Sequence, residues 1–126
     1  MMKKIEYLKE GGSLVSYVIF DGVDFNAGYT LNIVQDLNSN TIVEKFIGNK
    51  GDANLNIHQF SKNPTYYDQK SIYLRVDFIA NSIKNTPCLF GLLLLQDGKS
   101  IGFIEKKDIL NGYYQFVEIF VELIGI

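Results

Sequence analysis

The sequence contains one histidine, His58, which limits the catalytic chemistry that the chain can support. A Ser-His-Asp triad or a histidine-rich metal site would have to use it. His58 follows Ile57 in a short alternating segment, which predicts a solvated side chain on the polar face of a strand. Cys88 could form a Cys-His dyad with it, but Cys88 enters an apolar segment directly after Pro87, where a buried, unreactive thiol is more usual. We therefore assign no catalytic residues.

One acidic segment has part of the spacing of a calcium loop. Asp36, Asn38 and Asn40 match the first three ligand positions of an EF-hand loop. Thr41 and Ile47 stand where that loop needs glycine and glutamate, so the match stops there. Asp and Asn also fill turns through local hydrogen bonds, and a simple hairpin turn is the better interpretation.

A second acidic segment, 21–26, is a more open loop that Asp52 and Asp108 could join. The segment Asp97 to Ile109, which begins Asp-Gly-Lys-Ser-Ile-Gly-Phe-Ile, resembles the later strands of C2 domains. That resemblance covers a small part of the chain, and the close-set aspartates expected before it are missing. It implies a calcium-dependent C2-like or lectin-like binding domain as an alternative function, against solvated turns that bind no metal.

The longest predicted loop, 61–70, contains two adjacent tyrosines, Tyr66 and Tyr67, followed by Asp68. Tyrosine combines a flat apolar ring with a polar tip, which suits a sugar, a nucleobase or a protein hot spot. Long loops on rigid β scaffolds often carry function. The alternative is that one of the tyrosines folds back to cover the edge of the core.

The last predicted strand has an unusual second face, on which Phe116 and Phe120 alternate with Glu118, and Tyr114 precedes them. If that face is exposed to solvent, its rings form an apolar stripe that monomers normally avoid. We expect a subunit interface there, formed by Tyr114, Phe116, Glu118 and Phe120. The alternative is a cover supplied by a loop or by the N-terminal strand of the same chain.

Hydrophobic side chains in most of the chain recur with period two, which predicts β-strands. The clearest cases are 71–80 and 113–124, whereas the apolar run 89–95 is typical of a central strand covered on both faces. Asp97-Gly98 predicts a two-residue hairpin turn, and 36–40 predicts a second hairpin between strands 28–36 and 41–48. The pattern as a whole predicts an all-β fold, an antiparallel β-sandwich of about nine strands with jelly-roll or C2-like topology. One helical turn is expected at 106–110.

Strict alternation of strand direction would gather the loops at two ends. It would bring loops 10–12, 37–40, 61–70 and 97–99 to one end, and loops 21–27, 49–53, 81–87 and 107–112 to the other. We expect the first end to bind a ligand. Its predicted ligand-binding residues are Asp36, Asn38, Tyr66, Tyr67, Asp68 and Asp97.

Length and composition exclude several classes of protein. The 126 residues suit a single domain, and a net charge of −2 offers no basic field for nucleic acid. No apolar run is long enough to span a bilayer, no secretion signal is evident, and a single cysteine fits a cytoplasmic protein.

These observations predict a non-enzymatic binding or assembly module. It would recognise a protein partner, or a small-molecule or carbohydrate ligand, through its loops, and would form a homo-oligomer through a strand face, with no cofactor and no metal. The remaining alternative is an enzyme that uses only carboxylates and tyrosines.

Overall fold

The computed structural model describes residues 3–36, 38, 41–51, 56–81 and 85–126. These residues form two β-sheets that pack against each other, so the predicted all-β sandwich is confirmed. The sheets consist of nine strands, and a short 3-10 helix lies at Pro64–Tyr67. The strands are β1 (Lys3–Tyr7), β2 (Leu14–Asp21), β3 (Phe25–Val34), β4 (Ile42–Asn49), β5 (Ile57–Gln59), β6 (Ser71–Ala80), β7 (Thr86–Gln96), β8 (Lys99–Leu110) and β9 (Tyr114–Gly125).

The five-stranded sheet has the order β1-β9-β6-β3-β4, and the four-stranded sheet has the order β5-β2-β7-β8. Each strand runs opposite to the one before it in the sequence, as the registers of the antiparallel pairs require. One pair departs from the antiparallel pattern, because β1 lies parallel to β9 from Lys3 beside Val121 to Tyr7 beside Gly125. The first and last strands run in the same direction, so a parallel ladder is the only way for them to be neighbours.

Alternation of strand direction gathers the loops as predicted. At one end the backbone N–H of Gly12 lies 3.1 Å from Asp97 Oδ1, and Lys9 Nζ lies 3.3 Å from Asp68 Oδ2. At the opposite end the backbone N–H of Asn81 donates to the carbonyl oxygen of Asp24 over 2.9 Å. Asp52 of the second group lies outside the described residues.

The core lies between the two sheets and follows the period-two pattern of the strands. From the five-stranded sheet, Leu74 and Phe78 are fully buried, and from the four-stranded sheet Phe90 and Leu92 are fully buried. The rings of Phe78 and Phe90 meet across the interface with their centroids 5.4 Å apart. Burial of each such side chain contributes about 1.5–3 kcal/mol, so this layer holds the sheets together.

The strand β7 is central in its sheet, as predicted, with β2 on one side and β8 on the other. Its outward side chains, such as Leu93 and Leu95, are half-buried, so the expected cover on both faces is incomplete. The predicted turn after β7 is confirmed. Asp97 and Gly98 have φ values of 54° and 74°, and Gln96 pairs directly with Lys99, as a primed two-residue turn requires.

The hairpin predicted between β3 and β4 is also present. The backbone N–H of Gln35 donates to the carbonyl oxygen of Thr41, and the two strands pair antiparallel. The residues at 37, 39 and 40, which include Asn40 of the calcium-like segment, lie outside the described residues.

Two local predictions were wrong. Segment 106–110 is strand rather than helix, because β8 continues to Leu110 in register with the start of β7. In β5, Ile57 faces solvent, whereas His58 is half-buried and Asn56, just before the strand, is buried. The strand lies at the edge of its sheet. The polar side chains of Asn56 and His58 find buried partners there, so they point inward and Ile57 points outward, opposite to the prediction.

Candidate functional site

The acidic side chains at the predicted ligand-binding end are engaged in hydrogen bonds within the chain. Asp36 Oδ1 accepts from the backbone N–H of Asn38 over 2.8 Å, as in a local Asx turn. Asp97 accepts from the backbone N–H of Gly12 and so connects the β7–β8 turn to the β1–β2 loop. Asp36 therefore orders its own turn, whereas Asp97 joins two loops.

Asp68 has a similar role. Its Oδ1 accepts from the backbone N–H of Gly125 over 2.8 Å, and its Oδ2 pairs with Lys9. The hydrogen bond from Gly125, followed by the contact with Lys9, holds the pKa of Asp68 below its usual value. The carboxylate therefore connects the loop after β5 to the end of β9.

The two adjacent tyrosines have different surroundings. Tyr67 is fully buried, and its hydroxyl donates to Glu44 and accepts from the backbone N–H of Lys62. Burial and the hydrogen bond to Glu44 raise the pKa of Tyr67 to about 12. The assignment of Tyr67 to a ligand surface was therefore wrong, because its ring folds back onto the core. Tyr66 is exposed, with Lys70 Nζ 4.2 Å from its ring centroid.

The outer surface of the five-stranded sheet carries the exposed aromatic side chains that the sequence predicted. Tyr114, Phe116 and Phe120 retain 58%, 47% and 38% of their accessible surface. Within the described part of the chain neither a loop nor β1 covers them. Together with their row neighbours on β6 they form what we call the aromatic face. It consists of Tyr114, Phe116, Glu118 and Phe120 on β9, and Tyr73, Arg75, Asp77 and Ile79 on β6.

Apolar contacts order the side chains of the aromatic face. Tyr73 and Phe120 stack with ring centroids 4.9 Å apart and an interplanar angle of 7°. The guanidinium carbon of Arg75 lies 4.2 Å from the ring centroid of Phe116. One face of the Phe120 ring therefore contacts Tyr73, and one face of the Phe116 ring contacts Arg75.

Charged groups are ordered in the same way. Arg75 donates to Asp77 over 3.2 Å, Tyr114 donates to the same carboxylate, and Tyr73 donates to Glu118. Partial burial of Asp77 opposes its ionisation, but the hydrogen bonds from Tyr114 and Arg75 lower its pKa below the usual value. Burial and Glu118 raise the pKa of Tyr73. The side chains of the aromatic face are thus held in place by contacts within the chain.

Sequence reasoning missed a polar cluster between the two sheets. Tyr29 Oη lies 2.6 Å from His58 Nε2 and 3.1 Å from Asn56 Oδ1, and the imidazole stacks on Phe46 with ring centroids 4.8 Å apart. Burial lowers the pKa of His58 and raises that of Tyr29. The one signal in the sequence for this cluster was the presence of Asn56 and His58 on either side of Ile57. The single apolar residue could not determine which of these side chains points into the protein.

The Cys-His dyad considered from the sequence is excluded by distance. His58 pairs with Ser16, which pairs with Leu94, six residues along β7 from Cys88. At about 3.3 Å per residue that is about 20 Å along the strand. Burial raises the pKa of Cys88, which favours the neutral thiol.

At the opposite end of the sandwich from the predicted ligand loops lies an open hollow of about 720 Å³, lined by Asp21, Cys88 and Asp108 among others. Among residues 3–36, 38, 41–51, 56–81 and 85–126, no group of three or more His, Cys, Asp or Glu side chains could hold a metal ion. In the same residues no helix has the length and apolar character needed to cross a membrane.

Comparison with solved structures supports the fold. The chain is similar to the crystal structure of a DUF4425 family protein from Bacteroides ovatus ATCC 8483, with a TM-score of 0.57 and 16% sequence identity. The similarity covers 89% of this chain and 95% of that chain, and at this identity it concerns the fold alone. No protein-family model matches the chain, and no curated protein matches it.

Proposed function

We propose that this protein is a non-enzymatic assembly module that binds a second copy of itself through the aromatic face. The observation that carries the proposal is a row of exposed, preordered rings on one surface of the five-stranded sheet: Tyr114, Phe116 and Phe120. Aromatic side chains held in place lose little entropy on binding and dominate the energy of protein interfaces. The predicted ligand loops offer less, because their carboxylates already accept hydrogen bonds within the chain.

Two of the four rows of the aromatic face are complementary to themselves. Glu118 pairs in register with Arg75, and Phe120 pairs in register with Tyr73. A two-fold axis parallel to the strands and midway between β9 and β6 would place β9 of one copy over β6 of the other. Each β9 residue would then lie opposite the β6 residue with which it pairs in its own sheet. Glu118 of one copy would then meet Arg75 of the other, and the Phe120 and Tyr73 rings would meet likewise, as an isologous dimer requires.

The size of the surface suits a weak, reversible dimer. Rows 114–122 extend about 27 Å along β9, and β9 and β6, the two strands that this axis places over each other, span about 10 Å across the sheet. This gives about 270 Å² on each copy and about 540 Å² for the pair, which is the range of weak and transient contacts. Exposed Ile79 supplies part of the apolar area.

The orientation of the rings favours a protein partner over a carbohydrate. A sugar ring stacks on a flat aromatic surface that is free to solvent. Here one face of Phe120 lies against Tyr73, and Arg75 covers one face of Phe116, so less of each flat surface is free for a sugar. The same rings, together with the paired charges beside them, suit the side chains of a second sheet.

The proposal is tested by measuring molecular mass as a function of concentration. Sedimentation equilibrium should give a reversible dimer for the unchanged protein, and the double variant Phe116→Ser, Phe120→Ser should remain monomeric at the same concentrations. Phe103→Ser is the matched control, because Phe103 on β8 is 44% exposed but belongs to the other sheet. The control should dimerise like the unchanged protein.

A charge exchange tests the predicted geometry. Arg75→Glu should weaken the dimer, and Arg75→Glu combined with Glu118→Arg should restore it, because the two residues face each other across the proposed axis. A protein that stays monomeric at high concentration contradicts the proposal, as does a double serine variant that dimerises normally while circular dichroism reports an unchanged fold.

A further inference from the structure

Half of β9 has no strand on one of its sides. The strand β1 pairs with β9 only from Val121 to Gly125, whereas β6 pairs with it from Tyr114 to Glu122. In the part of the chain that the structure describes, no strand lies beside 114–120 on the β1 side. We call this side of 114–120 the open edge.

The backbone groups at the open edge can be assigned from the antiparallel ladder. On the β6 side the carbonyl oxygen of Tyr113 accepts from the backbone N–H of Ala80, and the backbone N–H of Leu123 donates to the carbonyl oxygen of Lys70. Because the ladder alternates with period two, the odd-numbered residues of β9 face β6 and the even-numbered residues face away from it. Phe116, Glu118 and Phe120 therefore direct their backbone N–H and C=O groups toward the open edge.

A contact from the other sheet supports this assignment. Lys106 Nζ reaches across from β8 and donates to the carbonyl oxygen of Glu118 over 3.0 Å. The contact shows that this carbonyl faces outward and is accessible to a donor from another segment. A lysine side chain satisfies one carbonyl in this way but supplies nothing to the neighbouring N–H groups.

The open edge has a groove beside it. About 730 Å³ of space lies between Gln115–Phe120 of β9 and the side chains of Ile104, Lys106 and Asp108 on β8, and it ends at Lys3. Beside Val121–Gly125, β1 fills the space between β9 and β8. It lies so close to β8 that a side chain added at Gly102 would meet Ile5. The groove is thus the continuation of the position that β1 occupies.

We propose that the open edge binds an extended peptide segment of another protein, which adds to the five-stranded sheet beside β9 in line with β1. The strand β1 provides the pattern, because Ile5 and Tyr7 point into the core while Lys4 and Glu6 face solvent. A peptide with the same alternation would place apolar side chains against Ile104, Val117 and Ile119. Main-chain hydrogen bonds give such complexes their affinity, and the side-chain pockets give specificity.

Charged groups at the groove balance one another. Asp108 accepts from Gln115 and from the backbone N–H of Ile109, and Glu118 accepts from Tyr73, but these neutral donors do not offset a carboxylate. Lys3 and Lys106 carry the opposite charge, so the alternation of apolar side chains, rather than net charge, defines the peptide. The inference concerns the edge of the sheet and does not depend on the dimer proposed for its face.

Amide hydrogen exchange measured residue by residue tests the inference directly. In the free protein the amides of Phe116 and Glu118 should exchange rapidly, whereas those of Val117 and Ile119, bonded to β6, should exchange slowly. The probe is a seven-residue peptide of alternating glutamate and valine with capped ends. At ten times its dissociation constant it should slow exchange at Phe116 and Glu118 about tenfold, with little change at the odd-numbered positions.

A matched peptide separates strand addition from nonspecific binding. The same peptide with N-methyl groups on the backbone nitrogens that face β9 retains every side chain but cannot donate to the open edge. It should give no protection. Protection by both peptides, or by neither, overturns the inference.

Two substitutions at one position give the corresponding control in the protein. Glu118→Pro removes the backbone N–H that faces the open edge, and the N–H groups of β9 that bond to β6 are unchanged. Glu118→Ala retains the N–H at the open edge. Peptide binding should be lost in the first variant and kept in the second. If Glu118→Pro does not fold, the N-methylated peptide still decides the outcome on the unchanged protein.

Occupation of the open edge by another copy of this chain gives a different result. Phe116 and Glu118 would then be protected without peptide, and the protection would rise with protein concentration. Slow exchange at these two amides in the free protein, at any concentration, overturns the inference.

Discussion

The two lateral edges of the sandwich are closed in different ways. At the closed edge, where β4 faces β5, polar side chains connect the sheets through hydrogen bonds, of which the one from Tyr29 to Asn56 is buried. Tyr29 reaches Asn56 and His58, and Glu44 accepts from both the Tyr67 hydroxyl and the backbone N–H of Ser61. At the edge where β9 faces β8, one lysine side chain spans the gap and a groove remains.

The difference separates stability from recognition. Tyr29 and Asn56 at the closed edge are buried, so removal of the partner of either leaves an unsatisfied atom in the interior. Side chains of the aromatic face, and backbone groups of the open edge, are still hydrated and lose little when a neighbour is removed. We therefore expect substitutions at the closed edge to affect folding, and substitutions at the open edge and the aromatic face to affect binding.

The largest difference is expected between two aromatic truncations. Tyr67→Ala removes a fully buried ring that packs against Phe60 and should lower the free energy of unfolding by about 3–5 kcal/mol. Phe116→Ala on the aromatic face should lower it by about 0.5 kcal/mol or less. Urea denaturation of the monomeric protein measures both. Equal losses would show that the aromatic face is part of the folding core.

A smaller difference is expected between two hydroxyl deletions. Tyr29→Phe leaves Asn56 Oδ1 and His58 Nε2 without the hydroxyl group and should cost about 1–3 kcal/mol of unfolding free energy. Tyr73→Phe removes the hydroxyl that donates to Glu118 on the exposed side of the sheet and should cost about 0.5 kcal/mol or less. The same urea titration compares them. A loss for Tyr73→Phe as large as that for Tyr29→Phe would remove the distinction between the two regions.

The smallest effect is a pH dependence that arises at the closed edge alone. The pKa of His58 is lower in the folded protein than the usual 6.5, so the unfolded chain binds its proton more readily. The contribution of neutral His58 to stability is complete above pH 6.5 and declines as the pH falls through the folded pKa. Because the chain has no other histidine, His58→Gln should flatten the unfolding free energy just below pH 6.5. A slope unchanged in that variant would assign the titration to another group.

Much of the fold was predictable because strand patterns and turn chemistry are local. Alternation at 71–80 and the Asp97-Gly98 turn each depend on a few neighbouring residues, and both are confirmed. Errors arose where a distant partner determines the conformation. Pairing with β7 extends β8 through Leu110, and no property of 106–110 itself reveals that partner.

The candidate site was predictable only in part, for the same reason. Exposure of Phe116 and Phe120 follows from their position opposite the core-facing residues of β9, and the period-two pattern contains that information. Tyr66 and Tyr67 are adjacent in sequence, and only the tertiary packing determines that Tyr67 lies under Glu44 while its neighbour faces solvent.

The sequence by itself determined which residues form strands, where two of the hairpins turn and which face of β9 carries aromatic side chains. These properties depend on backbone sterics and on a side-chain period of two, both of which act over a few residues. Only the tertiary structure decided that β1 joins β9 in parallel beside Val121–Gly125 and that a groove lies beside 114–120. Such features depend on which segments, far apart in the chain, reach the same edge of a sheet, and no local pattern contains that information.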